Sequence, residues 1–205
     1  MLVRIFKTIN DKVLNSKIAE YTNSQNSISS VDLKSLRPEQ IQLEQYLSEN
    51  EIAYSRKAGD IGLTNDTTFK YQISMERFGQ ILYSLKGSPH KASSRKKQIF
   101  DKYYDETFGE GVLEVEKSPE QIKKYFEIKA IYESKARAQG YDFSDQKAFY
   151  ILYLQHRIDD DKEIIIDKFE ETLNAYSPKG KKPMTHPRKL LLVDFKKFVD
   201  KRFLE

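Results

Sequence analysis

Ile18-Ala19-Glu20-Tyr21-Thr22-Asn23-Ser24-Gln25-Asn26-Ser27-Ile28-Ser29-Ser30-Val31-Asp32-Leu33-Lys34-Ser35-Leu36 changes character twice. It begins as the end of a short amphipathic helix, with Leu14, Ile18 and Tyr21 at i, i+4 and i+7 on one face. An uncharged polar run, Thr22 to Asn26, then breaks the pattern, and apolar anchors are expected at Ile28, Val31, Leu33 and Leu36. Carboxamides and hydroxyls offer donors and acceptors without charge, and the flanking anchors would pin them in place. The ordinary reading of such a cluster is a hydrogen-bonded helix exit and turn.

Upstream, Leu2 to Phe6 is β-branched enough to read as a strand, one that exposes an edge if its sheet lies elsewhere. Asn10 or Asp11 can cap the helix through Tyr21. Downstream, Pro38 presets the first turn of a helix to about Asn50, with Leu43, Tyr46 and Leu47 on one face. Ile52 to Lys57 and Thr67 to Ile73 read as short strands around the loop Gly59 to Gly62. Ser74 is placed to cap a helix carrying Phe78, Ile81, Leu82 and Leu85, which Gly87 stops. A basic linker follows, then one more apolar helical face from Ile99, Phe100, Tyr103 and Tyr104, ending at Gly109 and Gly111.

From Ser118 the chain reads as helical throughout. Ser118-Pro119-Glu120-Gln121 supplies a cap, a proline in the first turn and a glutamine that can reach back, and Gly140 terminates that helix. Ser144 opens a second helix with Phe149 and Leu152 toward the core, and a third carries Ile165, Phe169 and Leu173. The proline-rich loop Ser177 to Pro187 is expected to be mobile. A last helix should bury Leu191, Phe195, Phe198 and Val199. The fold expected is mainly α with a few short N-terminal strands, an α+β part over residues 1–115 followed by an antiparallel helical bundle over 116–205.

Across 205 residues, 39% are apolar and 32% charged, and 13 Tyr and 12 Phe supply much of the area available for a core. The absence of cysteine excludes a disulfide framework and thiol catalysis, and fits a reducing cytoplasm. No apolar run approaches the ~18 residues of a membrane span, so no membrane partner is expected. The net charge of +4 is mild, but cations cluster at Lys86 to Lys97 and at Lys179 to Lys189. Charge runs are commonly solvated faces.

Catalytic patterns are incomplete. His90, His156 and His186 are far apart and lack the partners of a zinc site. Glu127-Ile128-Lys129 has the spacing of a nuclease motif but falls within a helix, where such pairs decorate the surface. Asp159-Asp160-Asp161 could gather a hard cation, or simply open the next helix. No cofactor is indicated.

Thr22-Asn23-Ser24-Gln25-Asn26, followed by Asp32-Leu33, Leu36, Gln40 and Leu43-Glu44, resembles the signature of the abortive-infection phage-resistance (AIPR) proteins of bacteria. The resemblance continues in Tyr54-Ser55-Arg56-Lys57, in Phe78 through Pro89, and in Phe100-Asp101-Lys102-Tyr103-Tyr104, covering roughly residues 2–110. A more distant likeness is to the DGQHR proteins of DNA-modification systems, which share an Asn-rich tract. Members of the AIPR family are usually longer and carry an Asn-Gly…Gln-Thr segment ahead of a strand like Leu2 to Thr8. On that basis the chain is expected to be the C-terminal part of a larger protein, a cloned fragment or the product of a decayed gene.

The resemblance implies phage defence, and the residues suggest DNA or RNA as a partner. Asn23, Gln25 and Asn26, with Ser24 beside them, could pair with base edges or hold phosphates. Arg56, Lys57, Lys91, Arg95, Lys96 and Lys97 could supply the backbone contacts. The alternative is a protein-interaction module whose polar tract is internal and whose partner is a second copy of the chain or an N-terminal segment.

Overall fold

A computed structural model describes residues 29–57, 69–178 and 184–205. Ser29 opens helix α1 (Ser30–Lys34) with a reciprocal box: its hydroxyl accepts from the Asp32 amide, and the Asp32 carboxylate accepts from the Ser29 amide, both at 3.1 Å. Val31 is buried there, but Leu33 and Leu36 stand 58% and 62% exposed, so two of the four expected anchors do not enter the core. In so short a helix only one side can face inward, and Val31 occupies it. Pro38 starts α2 (Pro38–Glu49), which buries Gln40, Leu43 and Leu47.

Strands β1 (Ile52–Ser55) and β2 (Tyr71–Ser74) pair in parallel, with Ile52 opposite Tyr71 and Ser55 opposite Ser74. A parallel pair cannot be closed by a tight turn and needs a crossover. Ile52, Ala53 and Tyr54 are all buried in succession, as in a strand covered on both faces. The cover on one side comes from α2, against which β1 packs.

Helix α3 (Met75–Leu85) leaves β2 directly, with the Ser74 hydroxyl accepting from the Arg77 amide at 3.2 Å. Phe78, Ile81, Leu82 and Leu85 are buried as the spacing predicts, and so are Met75, Gly79, Gln80 and Ser84. A helix buried this widely is central, and α3 is. It packs on the short helices α4 (Pro89–Ala92), α5 (Lys96–Asp101) and α6 (Tyr104–Phe108). Gln80 donates to the Ala92 carbonyl at 2.9 Å. Gly79 lets α5 and α6 approach: a Cβ there would lie 3.1 Å from Phe100 and 3.3 Å from Phe108.

The single helix expected from Ile99 to Tyr104 is broken at Lys102 and Tyr103 into α5 and α6. The break turns Tyr104 and Phe108 onto Phe100, with ring centroids 6.4 and 6.0 Å away. The expected basic linker before it also carries structure, in α4 and the start of α5.

Helices α7 (Ser118–Gln139), α8 (Asp145–Gln155) and α9 (Lys162–Ala175) pack on one another. Ser118 does not cap α7. A 3-10 turn, Val115–Lys117, runs into the helix, so Ser118 already has helical backbone and its hydroxyl points back to the Glu114 carbonyl. Gly140 ends α7 in the left-handed region at φ 74°, as a C-terminal glycine should. Ser144 and Asp161 cap α8 and α9 through their side chains.

Every residue from Lys147 to Leu154 is buried, so α8 is enclosed on all sides rather than presenting one core face. It meets α3 and α4 as well as α7 and α9, and Ser84 donates to the Phe149 carbonyl at 2.7 Å. One continuous core therefore runs from Val31 to Val199. A short helix, α10 (His186–Lys189), precedes the last one, α11 (Val193–Phe203). Phe195 and Val199 are buried, Phe198 is partly so, and Leu191 lies outside while Leu190 fills the core. The helix begins later than expected, which places Leu190 and Leu191 in the turn before it.

Candidate functional site

The cations expected to face a ligand divide into two kinds. Arg56 is engaged within the fold: Nε donates to Glu44 at 2.8 Å and Nη1 to the Ser35 carbonyl at 2.6 Å, tying the end of β1 to α2 and to the exit of α1. Lys57 is exposed. Lys91 is half-buried, while Arg95, Lys96 and Lys97 project from the start of α5, where Arg95 reaches only Gln98, at 3.4 Å. None of these four forms an ion pair among the described residues. Asn23, Ser24, Gln25 and Asn26 lie outside the described residues, as do Lys179, Lys181 and Lys182. Lys189, from the second cationic run, turns inward and donates to the Leu173 carbonyl at 2.9 Å.

Beside the exposed cations, His90 on α4 is buried and its Nδ1 has no hydrogen-bond partner. Burial lowers its pKa to about 4, helped by Lys91, Lys196 and Arg95 and opposed by Asp200, so the ring is neutral at pH 7.

Two buried polar networks were not foreseen. In the first, the Tyr54 hydroxyl donates to Gln40 Oε1 at 2.7 Å, and Gln40 Nε2 donates to the Tyr104 hydroxyl at 3.1 Å. Burial raises the pKa of both tyrosines, which keeps both hydroxyls neutral, Tyr54 donating to Gln40 and Tyr104 accepting from it. These three residues come from separate motifs of the resemblance described above. The motifs meet in space at this relay, and the Arg56–Glu44 pair beside it ties the first two of them together a second time.

In the second network the Lys147 ammonium donates to Glu170 at 2.6 Å and to the Asp142 carbonyl at 2.7 Å. The Tyr132 hydroxyl donates to the same Glu170 oxygen. The ammonium also lies 5.4 Å from the Tyr141 ring centroid. In the sequence Lys147 only precedes the apolar run Ala148 to Leu154, after the polar pair Asp145-Gln146, so little there marked it as buried. Glu127 and Lys129, by contrast, are surface residues paired to Lys162 and Glu133. Asp161 serves as a helix cap, its carboxylate accepting from the Glu163 amide at 2.8 Å. Among the described residues no group of three or more His, Asp or Glu is arranged to hold a metal ion.

A cavity of about 270 Å³ opens between α7 and α8 at the end of α3. Leu85 and Leu152 contribute apolar lining, and Gln121 and Gln155 line it from α7 and α8. Both glutamine Oε1 atoms are buried without a hydrogen-bond partner, a deficit worth about 1–3 kcal/mol each. His156 lines the same space, its pKa lowered by burial first and then by Arg157, Lys124 and Lys117.

These features define a mainly helical α+β protein with a small parallel sheet, a free cationic segment and a compact cavity. The chain belongs to the AIPR family: the family model described as "AIPR protein" matches residues 1–188. The match runs past the motifs quoted above and through α7, α8 and α9. Membership places the chain among proteins of abortive-infection phage resistance. No curated protein and no solved structure matches it. Among the described residues no helix is long and apolar enough to cross a membrane.

Proposed function

We propose that this chain serves phage defence by holding nucleic acid on the cationic segment formed by Lys91, Arg95, Lys96 and Lys97, with Lys57 adding a further charge. Asn23, Ser24, Gln25 and Asn26 would then read base edges. Arg56 stands apart from this surface, because its guanidinium already serves Glu44 and Ser35. The observation that carries the reading is that Arg95, Lys96 and Lys97 are exposed side by side and that, among the described residues, no carboxylate pairs with them. Such cations bind phosphate by releasing counterions, so affinity must fall with salt at a slope of about 0.9 per phosphate on duplex DNA.

The test is retention of DNA and RNA at ~50 mM salt, followed by a salt titration. Combined Arg95→Ala, Lys96→Ala and Lys97→Ala should weaken binding to every sequence alike and flatten the salt slope by about 2–3. No retention of either nucleic acid at low salt refutes the proposal.

A second reading, a protein-interaction module, draws on Leu33, Leu36 and Ile41, each exposed, on α1, its exit and α2. A stable dimer by light scattering, with no affinity for nucleic acid, selects it.

A further inference from the structure

The break between α5 and α6 does more than bring Tyr104 onto Phe100. It sets the preceding residue, Tyr103, against Tyr83 of α3, with ring centroids 5.6 Å apart and planes 29° from parallel. Tyr104 and Phe100 are buried, whereas Tyr83 and Tyr103 are only half-buried, so part of each ring stays in solvent. Single apolar residues at a surface are commonplace. What sets this stacked pair apart is its surroundings.

Arg95, Gln98 and Lys102 follow one side of α5 at i, i+3 and i+7. The Gln98 carbonyl accepts from the amides of Lys102 at 2.9 Å and Tyr103 at 3.1 Å, and its side chain accepts from Arg95 at 3.4 Å. Arg95 is thus joined to Tyr103 through a single residue. It lies near Tyr83 as well: burial and then Tyr103 raise the Tyr83 pKa, and the Arg95 charge opposes them. Lys102 is exposed and, among the described residues, forms no ion pair. One carboxylate, Glu106, also borders Tyr83, and Lys86 sits against that residue with its ammonium donating to the Glu106 carbonyl. The surface therefore offers positive charge for phosphates and, beside it, open ring area for the faces of bases. In a duplex those faces are stacked on one another, while a single strand exposes them. Aromatic side chains next to a cationic track are how proteins hold single strands of any sequence.

We propose that the cationic segment on α4 and α5 takes single-stranded nucleic acid in preference to duplex, with bases stacking on Tyr83 and Tyr103 while Arg95 and Lys102 hold the flanking phosphates. The inference rests on the reading of that segment as a nucleic-acid surface, and names the form of nucleic acid it takes. Strands of DNA and RNA share the phosphates and base faces used here.

Fluorescence anisotropy of the full chain with labelled oligothymidylate, oligouridylate and duplex DNA, each ~20 nucleotides long and at ~50 mM salt, tests it. Both single strands should bind at least about tenfold tighter than the duplex, as the strength of base–aromatic stacking requires. Comparing the two strands separates DNA from RNA as the better ligand. Tyr83→Leu combined with Tyr103→Leu should lose about tenfold on the single strands and nothing on the duplex, with the salt slope unchanged because no phosphate contact is removed. Tyr83→Phe combined with Tyr103→Phe keeps both ring faces and should bind as the wild type does. Equal affinity of the wild type for single strands and duplex overturns the proposal without any variant, and leaves the cationic segment standing as a nucleic-acid surface. Unchanged single-strand affinity in the first double variant, or an equal loss in the second, overturns it too. Absence of all binding overturns both this inference and the reading beneath it.

Discussion

Around β1 the molecule satisfies its buried polar groups without charge, whereas between α7, α8 and α9 it encloses a lysine and a glutamate. In the relay Tyr54–Gln40–Tyr104 each partner is neutral, and the amide spends one donor and its acceptor on the two hydroxyls. In the cluster Lys147–Glu170–Tyr132 the two charged side chains are only 3% and 9% exposed. Burying charge is costly and is tolerated only when the remaining donors and acceptors are met. Asp142 and Tyr132 meet them here. The two regions therefore differ in what a single missing partner leaves behind: an unpaired dipole in one, an uncompensated charge in the other.

Lys147→Met is the sharpest way to break that comparison. It strands the Glu170 carboxylate and should destabilise by about 3–5 kcal/mol in urea unfolding. Replacing both partners, Lys147→Met with Glu170→Leu, should recover much of that loss, because a packed apolar pair can equal a buried ion pair. If the double variant is no better than the single one, the charge is not the source of the penalty.

Gln40→Leu tests the neutral side. It leaves the Tyr54 and Tyr104 hydroxyls without their partner and should cost about 1–3 kcal/mol, clearly less than Lys147→Met. Equal losses would erase the distinction between the two regions.

A smaller effect is expected at His90 on α4, which packs on α11, the helix that carries Lys196 and Asp200. Its folded pKa of about 4 is below the ordinary 6.5, so the unfolded chain binds the proton more readily between those values. Stability from this group is intact above about pH 6.5 and declines as the pH falls toward 4. His90→Gln should melt with a shallower pH dependence across that window. Identical slopes for variant and wild type would mean that the ring titrates normally.

Much of the helical order was legible because its signals are local. Ser74, Ser144 and Asp161 cap their helices as their positions suggest, and Phe78, Ile81, Leu82 and Leu85 are buried at helical spacing. The candidate site was less legible. Arg56 and Arg95 have the same side chain, and only the presence of Glu44 and the Ser35 carbonyl next to the first separates a structural cation from a free one. Gln121 and Gln155 read as ordinary polar helix residues in the sequence, yet each has a buried carboxamide oxygen without a partner.

By itself the sequence determined the mainly helical character, most of the caps and terminators, and the likeness to the AIPR family, since these depend on residues a few positions apart or on motif order. Tertiary structure decided the parallel pairing of β1 and β2, the break between α5 and α6, the inward turn of Lys147 and Lys189, and the exposure of Leu33 and Leu36. Each of those depends on which distant surface covers a side chain. A periodicity of 3.6 residues shows that a helix has a face, but not what that face meets.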